Sequence, residues 1–368
     1  MKKRFALGLV ALLALVGCKG GDETGSGTST PNTGTTTEKK EVAVFGPQAD
    51  HGWTGAVLTG IQEKAAALNK AQSKYEYVIY SDATAESQAQ KVDDVLARKT
   101  EIAGIVIQPS SNESESVVTK IANSGIPFVQ FDRIITNDAV TSCNTNVSNV
   151  KGDNHSTGVE SAKRFIAKGR QKTDKILGRP GDNSTVPGER TAGFEEELKK
   201  NGWTDAEIKS QITFTDYTGW SRDTSITLFE TFVNGTSEEE LADYKWFYTH
   251  DSEITRGILQ ALTSNSITEG KKKIIADNVK GLVGCGGLEE VYQVIRGDHP
   301  RSAQFKEALP NCDIVDVTYD PGMMAVARQD RQDHLDGKQV TKDHVIASEA
   351  VSKDNIAGKT GFGGKVTA

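Results

Sequence analysis

An α/β architecture of two Rossmann-like lobes is what this sequence predicts, each lobe a parallel sheet with helices on both faces, joined by a hinge that the chain crosses several times. Three observations predict it. Short apolar runs alternate with helix-period stripes along nearly the whole chain, the pattern of repeated βα units. The runs are near-continuous rather than alternating, as in strands buried on both faces. The rhythm then restarts after Asp153-Asn154, so that a second set of units follows the first.

Taken in order, Val42-Ala43-Val44-Phe45 is the first strand, followed by a stripe at Val57, Leu58, Ile61, Ala65 and Leu68 with helical spacing. Tyr77-Val78-Ile79-Tyr80 precedes a stripe at Ala89, Val92, Val95 and Leu96. A strand over 102–107 leads to Val117, Val118, Ile121 and Ala122, and a strand over 126–131 closes the first set. The second set opens with a helix striped by Val159, Ala162, Phe165 and Ile166, then strands near 175–177, 212–214, 246–248 and 274–276. A late strand at 314–317, a helix near 321–336 and a last strand near 344–350 return the chain across the junction. Lobe 1 is thus expected to hold residues 41–150 with about 320–343, and lobe 2 residues 151–319 with about 344–368.

Two segments of another kind precede the first strand. Residues 1–18 carry a basic start (Lys2, Lys3, Arg4), about a dozen apolar residues and a small-residue cleavage site, the layout of a secretory signal. The run is too short to span a bilayer, which takes ~20 apolar residues. Leu15-Val16-Gly17-Cys18 resembles the bacterial lipobox, which makes Cys18 the expected lipid anchor. Several acyl chains, at roughly 0.8 kcal/mol per buried methylene, would hold the mature protein on a membrane surface. Residues 19–40 are nearly all Gly, Ser, Thr, Asn, Asp, Glu and Lys, cannot bury enough apolar surface to fold, and are expected to form a disordered tether.

The net charge of −7, with both signs interspersed, argues against a nucleic-acid partner. Glu238-Glu239-Glu240 and Lys271-Lys272-Lys273 read as solvated faces. Beyond Cys18 remain Cys143, Cys285 and Cys312. An oxidising compartment permits one disulfide, and Cys285 with Cys312 is favoured because they flank one helical segment. No CxxC or HExxH pattern is present and the six histidines lack metal spacing, so neither a metal nor a cofactor is expected. Gly284-Cys285-Gly286-Gly287 lacks the third glycine of a dinucleotide fingerprint and reads as a turn.

In open parallel sheets ligands gather at the carboxyl ends of strands. There the sequence places His51 and Trp53, then Gln108, then Asp132 and Arg133; in the second set come Arg190, Trp220, Asp251 and Asp277. Carboxylates, amides and guanidinium groups together suit a neutral polyol, whose hydroxyls both donate and accept. The CH face of a sugar ring can lie on an indole, so Trp53 and Trp220 are expected to sandwich it from opposite lobes.

From Val42 to about Val351 the chain resembles the type I periplasmic sugar-binding proteins of ABC transporters, the ribose, galactose and galactofuranose group. The resemblance rests on Gly52-Trp53, the run from Pro127 to Asp132-Arg133, Asp153-Asn154 with Gly158, Glu189-Arg190 with Gly193-Phe194, and Trp220-Ser221-Arg222. It adds Tyr319 to the ligand contacts and places Asp251 and Asp277 among them. His51, Gln108, Asp251 and Tyr319 stand where ribose binders carry Asn, Asn, Asn and Gln, and Thr54 stands where galactofuranose binders carry Arg. No counterpart of the calcium loop of galactose binders is found.

What the resemblance implies is an extracytoplasmic lipoprotein, monomeric and without catalytic activity. It would capture a monosaccharide by hinge closure and present it to an ABC permease driven by its ATPase. A sugar-sensing lobe for chemotaxis or a histidine kinase is the alternative. A glycoside hydrolase ranks below it, and a dehydrogenase lower still for want of the glycine fingerprint.

Overall fold

The computed structural model describes residues 39–367 apart from 51, 72 and 73; the leader with Cys18, nearly all of the tether, and His51 lie outside the described residues. Twelve strands follow in chain order: β1 (Lys40–Pro47), β2 (Tyr75–Asp82), β3 (Ile102–Ile107), β4 (Phe128–Phe131), β5 (Asn146–Gly152), β6 (Lys175–Arg179), β7 (Ile212–Phe214), β8 (Tyr244–Thr249), β9 (Gly281–Gly286), β10 (Asp313–Thr318), β11 (Asp343–Ile346) and β12 (Ala350–Val351). They form two six-stranded sheets, β11-β5-β4-β3-β1-β2 and β12-β10-β9-β8-β6-β7. Every pairing is parallel except β12 on β10.

Double-sided burial explains the near-continuous apolar strands. Val42 and Val44 enter one core with Trp53, Val57 and Ile61, while the alternate residues Ala43 and Phe45 enter another with Val92 and Val95. In the second sheet Leu177 and Phe247 face the core under Phe229 and Ile258, and Ile176, Trp246 and Tyr248 face the one holding Phe165 and Phe194. Both sheets share one winding, in which the strand order reverses between β1 and β3 and again between β6 and β8. Such reversals leave a crevice at the carboxyl ends of the strands.

The chain passes between the sheets at three places: after β5 into helix Asn154–Ala167, after β10 into helix Met323–Leu335, and from β11 to β12. These crossings are bonded together. Asp153 N donates to Ile346 O (3.0 Å), Thr318 N to Glu349 O (2.9 Å), and Thr157 and Ser348 share a hydroxyl bond of 2.9 Å. Among the described residues no helix is long and apolar enough to cross a membrane.

Three sequence expectations are corrected. Residues 274–276 lie within helix Glu269–Asn278, whose first turn is capped by Thr268, and the strand of that unit is β9. A three-residue apolar run does not distinguish helix from strand, and the glycine-rich sequence of β9 carries little apolar signal. The single last strand predicted at 344–350 is two strands in different sheets, so residues 343–346 belong with lobe 1. Cys285 and Cys312 are free thiols. Cys285 pairs in register with Val317, whereas Cys312 precedes Asp313, which pairs with Gly281. At about 3.3 Å per residue this register leaves the two at opposite ends of the adjacent strands, beyond the reach of a disulfide. Denatured under non-reducing conditions, the purified domain should therefore release thiol from all three of Cys143, Cys285 and Cys312; a titre of one would restore the bridge.

Helices Asn154–Ala167 and Thr185–Lys200 meet through glycine. A Cβ at Gly158 would stand 1.9 Å from the Arg190 carbonyl oxygen, and one at Gly193 would stand 2.0 Å from that of His155. Backbone cannot yield as a flexible side chain can, so Gly158→Ala should cost about 1–3 kcal/mol in urea unfolding, as overpacked cores do. Wild-type stability in that variant would show that the helices can separate without cost.

Candidate functional site

A cavity of about 250 Å³ opens where the two strand-order reversals face each other, just under the ≈ 300–1,000 Å³ usual for small-molecule pockets. Trp53, Gln108, Asp132 and Arg133 border it from the first sheet, Arg190, Trp220 and Asp251 from the second, and Tyr319 from a crossing. Asp277 does not belong to it. That residue lies on an exposed helix face, paired with Lys273 at 2.8 Å, because its segment is helix and not the end of a strand.

Asp132 sits just past β4 with φ +65°, its carboxylate held at both oxygens: Gln108 Nε2 donates to one (2.7 Å) and the Tyr319 hydroxyl to the other (2.6 Å). Burial, reinforced by the Asp132 charge, pushes the Tyr319 hydroxyl well above its usual range, so it keeps its proton and donates. Among the described residues the non-glycine positions with positive φ are Asp132 and Trp220, one on each wall. Strained backbone of this kind gathers at ligand clamps.

Arg133 bridges the walls. Its Nη1 donates to the Ser110 carbonyl, and its Nη2 reaches Asp182 of the second lobe at 3.1 Å. Burial works to raise the Asp182 carboxyl, yet the Arg133 guanidinium and the Ser184 donors outweigh it and hold it below the usual carboxylate range.

Trp53 borders the cavity while mostly buried against Tyr319. It is 6% exposed, donates its indole N–H to the Tyr319 carbonyl (2.9 Å), and packs its ring 5.6 Å from the Tyr319 ring. Trp220 lies over Gly181, where a Cβ would come within 2.3 Å of the indole. Arg190 is buried against the Tyr319 and Trp220 rings: its guanidinium stands 4.7 Å from the first and 5.8 Å from the second. Its Nε donates to Asn154 (3.0 Å) and its Nη1 to the His250 carbonyl. The His250 imidazole is neutral, pushed down to about 3 by burial and then by Arg190.

Sequence reasoning missed Asp182, Asp82 and Gln88, which also border the cavity. The strand-end rule would have found the first two, since Asp82 closes β2 and Asp182 follows β6 by three residues. Gln88, inside a helix, carries no such signal.

A sequence profile described as the periplasmic binding protein domain matches residues 42–333. The chain belongs to the periplasmic binding protein domain family. No curated protein matches it in sequence. Among solved structures, a galactofuranose binding protein is similar with a TM-score of 0.66 at 18% identity, over 86% of this chain and 96% of that one. An ABC transporter solute binding protein from Agrobacterium vitis with bound D-fucose is similar at 0.66 and 19% identity, over 86% and 97%. The fructose binding periplasmic domain of a hybrid two component system is similar at 0.64 and 18%, over 86% and 92%. At these identities the likeness is one of fold.

Behind the second wall of this periplasmic binding protein, Asp316 on β10 joins two strand-end turns: it accepts from Ser252 Oγ (2.9 Å) and from Gly287 N (2.8 Å). Burial pushes its carboxyl up to about 7. An unfolded aspartate releases its proton near ~4, so between about pH 4 and 7 the folded chain binds more protons and this residue's contribution to stability falls as pH rises. Asp316→Asn removes that titration. In urea unfolding its stability relative to wild type should climb from pH 4 to pH 7.5; a difference that stays flat would show that Asp316 ionises normally.

Proposed function

We propose that this protein is an extracytoplasmic receptor that captures one neutral monosaccharide between its lobes and hands it to an ABC permease powered by a cytoplasmic ATPase, performing no chemistry itself. One observation carries the reading. A small cavity at both strand-order reversals is walled from opposite lobes by carboxylates, guanidinium groups and two indoles, with a strained residue on each side. Such a set matches ring hydroxyls by charge-assisted hydrogen bonds and the ring's CH face by aromatic surface. Trp53, Gln108, Asp132, Arg133, Arg190, Trp220, Asp251 and Tyr319 are the proposed contacts, with Asp182 added to them. The similar solved structures of a galactofuranose binding protein, a solute binding protein with bound D-fucose and a fructose binding periplasmic domain support a sugar. Cys18 would tether the mature domain to a membrane through the expected tether of residues 19–40, whose last residue, Lys40, opens β1.

Bonds from both lobes to one ligand exist only when the cleft is shut, so binding shifts an open–closed balance. Moving that balance almost fully takes ~5.5 kcal/mol of differential affinity, within reach of several charge-assisted bonds around a buried ring. The same closure would serve a sensor, and the likeness to the periplasmic domain of a two component system is the observation that favours this second output. Genes for a permease and ATPase beside this one would favour transport.

A thermal-shift screen of the mature domain against aldoses, ketoses, nucleosides and inositols tests the reading. A ligand at a hundred times its dissociation constant adds about 2.7 kcal/mol. Asp132→Asn tolerates the same left-handed backbone and should fold within ~1 kcal/mol of wild type, yet lose about tenfold or more in affinity for the best sugar by calorimetry. A wild type that no sugar stabilises, or an Asp132→Asn variant that binds unchanged, would sink it.

A further inference from the structure

We propose that Gln88 is a positioning residue of the binding site, the group that aims both Asp132 and Arg133; the role rests on the reading of the cavity as a sugar site. Gln88 stands on helix Ala85–Ala97, is 1% exposed, and borders the cavity. Its amide is engaged along one stretch of chain. Nε2 donates to the Gln108 carbonyl (2.8 Å), and Oε1 accepts from Ser110 N (3.1 Å) and from Ser114 Oγ (3.3 Å).

The two charged residues past β4 lean on that stretch. Arg133 Nη1 donates to the Ser110 carbonyl, and the Gln108 side chain donates to Asp132 Oδ2 at 2.7 Å. One planar amide therefore fixes the segment after β3 at three points, Gln108, Ser110 and Ser114, and that segment fixes a carboxylate and a guanidinium. Only a carboxamide of this length offers a donor and an acceptor together there. Glutamate would keep the two bonds it accepts and lose the one it donates; methionine would lose all three while filling the same space.

Calorimetry with the sugar that most stabilises wild type, applied to Gln88→Met, Gln88→Glu, Arg133→Ala and the Gln88→Met/Arg133→Ala double variant, tests this. Gln88→Met should weaken binding about tenfold or more, as loss of buried hydrogen bonds to a site-bearing segment does. Because Gln88 acts through Arg133, the double variant should be weaker than Arg133→Ala by clearly less than that factor. Losses that multiply, or wild-type affinity in both single variants, overturn the proposal. If Gln88→Met does not fold, Gln88→Glu carries the comparison with Arg133→Ala in the same way. A readout without ligand separates this inference from the sugar reading: the guanidinium Nη–H signals of Arg133, the group that donates to the Ser110 carbonyl, assigned with Arg133→Lys, should be protected from exchange in wild type and lose protection in the Gln88 variants. An unchanged signal overturns the role of Gln88, whereas a wild type that responds to no sugar overturns the reading of the cavity and leaves this spectrum to decide.

Discussion

The carboxylate of Asp132 is the constraint around which the site is arranged. A charge 6% exposed costs stability unless its oxygens are bonded, and here the amide of Gln108 and the hydroxyl of Tyr319 take one each. Gln108 directly follows β3, while Tyr319 stands where the chain leaves β10 for the first lobe. A single side chain past β4 thus ties a strand end to a crossing, from a left-handed backbone position. The Tyr319 ring in turn lies against Gly152, where a Cβ would come within 2.2 Å, and under the Arg190 guanidinium.

Topology explains why these groups meet at all. Each sheet reverses its strand order once, and the three crossings set the two reversals face to face. The second wall depends on close helix packing: Gly158 and Gly193 bring helix Thr185–Lys200 against its neighbour, and that helix carries Arg190 into the cavity. Arg190 then touches Asn154, the first residue of the neighbouring helix, so the packing contact and the cavity wall share one segment.

Much of this was legible in the sequence, for a physical reason. Strands buried on both faces must be apolar throughout, so β1, β3, β4 and β8 announce themselves, and the rule that ligands lie past such strands pointed to Trp53, Gln108, Asp132, Arg133 and Asp251. Where burial is one-sided or glycine-rich the signal fades: β5 alternates buried and half-buried positions, and β9 has glycine at three of six. Misplacing that strand by one element sent Asp277 to the site and hid the true edge at Gly286. Pairwise geometry was also illegible, because no local pattern says that Gln88 bonds a loop twenty residues on, or that Cys285 and Cys312 stand at opposite ends of adjacent strands.

The Arg133–Asp182 pair shows what is left for a ligand to do. It joins the lobes directly, but its side chains are 17% and 28% exposed, and ion pairs in contact with water contribute about 0–1 kcal/mol. That is well short of the ~5.5 kcal/mol needed to drive a two-state cleft from nearly all open to nearly all shut. The pair can align the walls and bias the balance; it cannot hold them closed. Under the proposed function, a ligand whose hydroxyls reach Asp132 and Arg133 on one side and Arg190 and Asp251 on the other would supply the remainder, and an incomplete one, lacking hydroxyls toward either wall, would leave buried polar groups unpaired and favour reopening. Selectivity and closure would then have the same origin, since the bonds that distinguish one ligand from another would be those that keep the lobes together.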